Sequence, residues 1–115
     1  MLVVDDNHDN AESLSMFVRL LGHEVETAHD GVEALESLKA RHYDTAILDI
    51  GMPRLNGYDL ARQIRAQDWG RSIYLVALTG WGQAEDKQRA MDAGFDRHLT
   101  KPVQPEQLAA VLAET

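Results

Sequence analysis

Short apolar runs alternate along this chain with longer stretches in which apolar residues return at helical spacing. Five runs predict strands: Leu2-Val3-Val4, Val25-Glu26-Thr27-Ala28, Thr45-Ala46-Ile47-Leu48, Ile73-Tyr74-Leu75-Val76-Ala77-Leu78 and Arg97-His98-Leu99-Thr100. The first, third and fourth are nearly all apolar, as central strands covered on both faces should be; the mixed second and fifth belong at the edges. Ala11, Leu14, Val18 and Leu21 predict a first helix, closed by Gly22 in a left-handed cap. Val32, Leu35 and Leu38 make a shorter stripe, and Leu60, Ala61 and Ile64, then Leu108, Ala109 and Leu112, make two more. The segment from Gln83 to Ala93 differs. Its apolar residues are Ala84, Ala90, Met91 and Ala93, set among Glu85, Asp86, Lys87, Gln88 and Arg89, so its buried face is thin and readily moved.

Strand and helix in alternation predict an α/β fold of the flavodoxin-like doubly wound (βα)5 kind. The expected sheet is parallel and five-stranded, in the order 2-1-3-4-5, with helices on both faces. No internal repeat, low-complexity tract or linker interrupts the pattern. At 115 residues the chain fits one domain, 1–115, burying about two-thirds of the surface its unfolded form exposes. Eleven Lys and Arg against nineteen Asp and Glu leave a net charge of −8, which opposes direct binding to nucleic acid and favours cations and basic protein surfaces. Cysteine is absent, excluding disulfides, thiolate metal sites and thiol redox chemistry and suiting a reducing, cytoplasmic setting. No apolar stretch approaches the roughly 20 residues of a membrane span, so no membrane insertion is expected.

In such a sheet, sites form outside the carboxyl ends of the strands where the winding reverses, here between strands one and three. Those strands end in Asp5-Asp6 and Asp49. Carboxylates so gathered repel one another, by about 4 kcal/mol per pair at roughly 4 Å and an effective dielectric near 20. A hard divalent cation such as Mg²⁺ offsets that repulsion, using one or two carboxylates and a backbone carbonyl that Gly51 is placed to offer. The cation can also neutralise an incoming phosphoryl group held in line with a carboxylate nucleophile, for which Asp49 is best placed. Thr79 and Lys101, closing strands four and five on the same rim, are the candidate hydroxyl donor and counter-charge.

The pieces Leu2-Val-Val-Asp-Asp-Asn7, Ala46-Ile-Leu-Asp-Ile-Gly-Met-Pro53 with Asn56-Gly57-Tyr58, Ala77-Leu-Thr79 and Leu99-Thr-Lys-Pro-Val103 span the chain in order. Together they resemble the receiver domains of two-component response regulators. The resemblance implies that Asp49 accepts a phosphoryl group from the phosphohistidine of a histidine kinase or histidine phosphotransfer domain. It also implies that Asp6 binds Mg²⁺ directly, Asp5 through water, and that the Gly51 carbonyl completes the protein ligands. Thr79 would donate to a phosphoryl oxygen, Lys101 would pair with its charge, and the Lys101-Pro102 bond would be cis. Phosphorylation would then draw in Thr79, let the Gly80-Trp81-Gly82 loop and fourth helix resettle, and alter the surface of helix four, strand five and helix five. The domain would act as a phosphoacceptor with slow self-hydrolysis at most, not as a turnover enzyme.

Two departures stand out. His98 occupies the place, three before the lysine, where many receivers carry Tyr or Phe, so an aromatic rotamer switch cannot be carried over unchanged and charge would enter. The first strand is short at its front, which is compatible with a receiver excised from a larger protein with a kinase or output domain. The Thr79-Gly80-Trp81-Gly82 run looks like receivers of hybrid sensor histidine kinases.

Plainer readings stand beside these. Asp5-Asp6-Asn7 could simply cap the first helix, Thr79 could be a loop hydroxyl and Lys101 a solvated charge. Trp69 and Trp81 read as loop aromatics that cover the core or contact a partner, the core being the favoured reading, and His8, His23, His29, His42 and His98 show no ligand spacing. An aspartyl-nucleophile phosphatase would also use Mg²⁺, but its Asp-x-Asp signature is missing, because Gly51 stands two after Asp49. A nucleotide- or flavin-binding module of the same fold is the other rival, yet no Gly-rich phosphate loop follows strand one.

Overall fold

The computed structural model describes residues 1–51, 56–80, 84–101 and 103–113, with the main chain alone at 84–87. Strands β1 (Leu2–Val4), β2 (Glu26–Ala28), β3 (Thr45–Asp49), β4 (Tyr74–Thr79) and β5 (Arg97–Thr100) form one parallel sheet in the order β2-β1-β3-β4-β5. That is the expected order, with the two mixed strands at the edges. Helices α1 (His8–Leu20), α2 (Gly31–Ala40), α3 (Gly57–Arg65), α4 (Ala84–Ala93) and α5 (Pro105–Leu112) connect or follow the strands, and a 3-10 turn at Asp68–Gly70 precedes β4.

The two-residue period of a strand divides the core in two. Val3, Ile47, Val76 and Leu78 point to one face, where Ala11, Leu14 and Val18 of α1 and Leu108 and Leu112 of α5 cover them. Their neighbours Leu2, Val4, Ala46, Leu48, Leu75 and Ala77 point to the other. There they meet Ala34 and Leu38 of α2, Leu60, Ala61 and Ile64 of α3, and Ala90 and Ala93 of α4. The continuous apolar runs are therefore explained by helices on both sides.

Several boundaries differ from expectation by a residue or two. β2 begins at Glu26, β4 begins at Tyr74 and runs through Thr79, and β3 continues through Asp49, so the acid is on the strand itself. Leu21 and Val32 leave the predicted stripes and are exposed. Leu21 is the C-cap of α1, where the chain turns away through Gly22 at φ 95°, and Val32 lies in the first turn of α2, beyond the edge of the sheet-facing arc. Trp69 packs against the core as read; Trp81 and Gly82 lie outside the described residues. α4 is thinly seated. Only Ala90 and Ala93 of its described side chains are buried, and Met91 is 68% exposed. Among the described residues, no helix is long and apolar enough to cross a membrane.

Candidate functional site

Strand register brings the site together. Val4 pairs with Leu48, so the residues that follow them, Asp5 just past β1 and Asp49 at the last position of β3, stand side by side. Asp49 pairs with Leu78, Thr79 with Thr100, and the Lys101 N–H donates to the Thr79 carbonyl at 2.7 Å. Four segments distant in sequence thus end on one rim. Asp5, Asp49 and Thr79 are 2%, 6% and 4% exposed, while Asp6 faces solvent. One carboxylate oxygen from each of Asp5, Asp6 and Asp49 lies within 4.8 Å of the others. Lys101 Nζ reaches across to Asp49 Oδ1 at 3.1 Å and Asp5 Oδ2 at 3.7 Å.

The helix-capping reading is resolved at the same place. Asn7 caps α1, its side chain accepting the Asn10 N–H at 3.1 Å. Asp5 Oδ1 instead accepts the Asn7 N–H at 2.9 Å, an internal turn that aims the other oxygen at Lys101. Asp49 Oδ1 accepts the Gly51 N–H at 3.1 Å. Burial pushes the Asp5 carboxyl above its ordinary range, helped by the neighbouring Asp49; the Asn7 N–H and Lys101 pull against it without reversing the direction. An all-oxygen set of three carboxylates with one oxygen of each within 4.8 Å of the others suits a hard cation, and Mg²⁺ fits it better than a thiophilic metal.

His98 is half-buried, and its register with Ala77 and alternation with Leu99 place it on the α4 face of β5. Pro102, and with it the isomer of the Lys101-Pro102 bond, lies outside the described residues, as do Met52 and Pro53. Two features escaped sequence reasoning. The rings of His8 and His29 stack at 3.6 Å, and His29 Nδ1 lies 3.1 Å from the Asp5 carbonyl oxygen, to which it can donate. The adjacency of β1 and β2 contained that signal, but only through side-chain directions that a pattern of residue types does not carry. The second is an open groove of about 450 Å³ beside the acids, walled by Leu14 and Phe17 of α1 and by Val103.

A doubly wound sheet whose reversal point holds buried carboxylates bridged by a lysine defines the class, an α/β domain with an acidic, phosphate-compatible pocket. The chain belongs to the response regulator receiver domain family of two-component signalling, whose model matches residues 1–113. It is 40% identical over 110 residues to the response regulator MprA of Mycobacterium ulcerans, covering 96% of this chain and 47% of that protein. The corresponding protein of Mycobacterium avium is 39% identical over 110 residues with the same shares. The chain therefore spans about half the length of these curated relatives. Among solved structures it superposes on the chemotaxis protein CheY4 of Vibrio cholerae with a TM-score of 0.93 at 33% identity, over 98% of this chain and 94% of that one. It is similar also to the receiver domain of the sensor histidine kinase PA1611 of Pseudomonas aeruginosa, described with a magnesium ion coordinated in its active-site cleft. That match has a TM-score of 0.90 at 34% identity and covers 98% and 93% of the two chains.

Proposed function

We propose that residues 1–115 act as one receiver unit in which Asp49 takes a phosphoryl group from the phosphohistidine of a histidine kinase or phosphotransfer domain. The observation that carries this is the 3.1 Å approach of Lys101 Nζ to a carboxylate that is otherwise buried beside two more acids. In the transfer, an Asp49 carboxylate oxygen forms the new O–P bond as the N–P bond of the donor breaks. The electron pair stays on the imidazole nitrogen, which takes a proton from solvent. Asp5, Asp6, Asp49 and the Gly51 carbonyl would hold Mg²⁺, which when bound supplies charge neutralisation for the anionic pocket and phosphoryl group. Lys101 already lies where the added charge would develop, and Thr79, buried on the adjacent rim, would donate its hydroxyl to a phosphoryl oxygen.

The thin seat of α4 supports a switch at the surface of α4, β5 and α5, with Thr79 responding to phosphorylation and His98 as a second moving part. A few kcal/mol of differential stabilisation suffices for such a shift, about what one charge-assisted contact and a cation provide. The similarity to both a response regulator and the receiver of a sensor kinase supports an attached output or kinase domain in a cytoplasmic protein. The acyl phosphate would hydrolyse slowly, leaving a signal rather than a turnover reaction.

Incubation with acetyl phosphate tests the reading. Wild type should gain one phosphoryl mass unit only with Mg²⁺, and Asp49→Asn should gain none. Rapid multiple turnover of phosphate esters would instead point to the phosphatase.

A further inference from the structure

Gly57 opens α3, and its backbone does not adopt the left-handed conformation that favours glycine at Gly22 and Gly94. Space is what demands glycine here. A Cβ at this position would fall 2.8 Å from the Asp49 carbonyl oxygen, 2.8 Å from Ile50 Cα and 3.2 Å from the Asp49 carbonyl carbon. All three are main-chain atoms of the segment bearing the phosphoacceptor, so no flexible side chain can move aside. The same junction is tied by the Gly57 N–H donating to the Ile50 carbonyl at 3.2 Å. On its other side the Ile50 N–H donates to the Leu78 carbonyl at 3.1 Å. The end of β3 is thus clamped between β4 and the first residue of α3.

We infer that Gly57 is a positioning residue for the phosphoryl transfer: its bare Cα lets α3 press on the Asp49-Ile50 main chain and so sets where the Asp49 carboxylate and Gly51 stand. This rests on the proposed role of Asp49. A methyl group at position 57 must open the contact by about half an ångström or more to reach ordinary van der Waals distance. Sites of this kind tolerate about 0.5 Å, and a misplacement of about 1 Å can cost roughly a hundredfold in rate. Because Asp49 Oδ1 is shared between the Gly51 N–H and Lys101 Nζ, a displaced strand end changes both contacts together.

The test uses acetyl phosphate as the donor and measures the phosphorylation rate at saturating Mg²⁺, the Mg²⁺ affinity by calorimetry, and the melting temperature. Gly57→Ala should lower the rate roughly tenfold or more and weaken Mg²⁺ binding several-fold. Gln63→Gly, an exposed change within the same helix, should lower the melting temperature and leave both other quantities at wild-type values. A folded Gly57→Ala with wild-type rate and affinity would overturn the inference. If Gly57→Ala does not fold, Asn56→Ala decides. It removes the α3 cap, whose side chain accepts the Asp59 N–H at 3.0 Å, and loosens the helix start without adding atoms. A lower rate for Asn56→Ala than for Gln63→Gly at similar melting temperatures supports positioning, and equal rates overturn it. If wild type takes no phosphoryl group, or Asp49→Asn takes as much, the proposed function itself falls; an active wild type matched by Gly57→Ala removes only the role of Gly57.

Discussion

The two ends of the parallel sheet use charge in opposite ways. At the amino ends of β4 and β5, Arg65 is densely bonded: Nε donates to the Gly94 carbonyl, the two hydrogens of Nη1 are shared among the carbonyls of Gly70, Arg71 and Ile73, and Nη2 donates to Asp96 Oδ2, all at 2.6–3.1 Å. Asp96 Oδ2 also accepts the Leu75 N–H, so one ion pair fastens α3, β4 and the turn before β5. At the carboxyl ends, three acids crowd together and the one cation against them among the described residues is Lys101. One end is satisfied for stability. The other is left with repulsion that a cation and a phosphoryl group can use, as expected where a fold gives up stability for a site.

Arg65→Met should show the largest effect, because it leaves several carbonyls and Asp96 without their donor. We expect about 3 kcal/mol of lost stability by urea unfolding, with Mg²⁺ affinity at its wild-type value. A loss below about 0.5 kcal/mol would remove the contrast between the ends. Lys101→Met comes next. It strands two buried carboxylates and should cost about 1–2 kcal/mol at neutral pH, a figure reduced because the lysine is a third exposed. It should also suppress labelling by acetyl phosphate; an equal cost at pH 4 and pH 7 would show that charge is not the cause.

The smallest effect is a slope. Burial holds the Asp5 carboxyl above the ordinary 3.8 in the folded protein, so between those values the folded chain keeps a proton that the unfolded chain has released. Stability of the Mg²⁺-free protein from this group is therefore fully present below the ordinary value and lost as pH rises through the raised one. Asp5→Asn should flatten that part of the stability profile. A slope of the same size in the variant would assign it to another group.

Much of this was legible in residue types alone. Continuous apolar runs identified central strands because two helical layers demand it, and acids at the ends of β1 and β3 met because the strand order puts those strands side by side. Leu21 and Val32 misled, since helical spacing says nothing about where the covering surface ends. Arg65 left no trace in the pattern, because four of its five partners are carbonyls, which every residue carries. Gly57 was visible as part of Asn56-Gly57-Tyr58, but its close approach to Asp49 depends on how α3 docks.

Thermal melting with and without Mg²⁺, on wild type and Asp6→Asn, tests most directly whether the three acids form one repelling, cation-accepting cluster. Without Mg²⁺ the variant should melt higher than wild type; added Mg²⁺ should raise wild type strongly and the variant much less. Equal melting temperatures without the ion, together with equal gains on adding it, would contradict a shared acidic site.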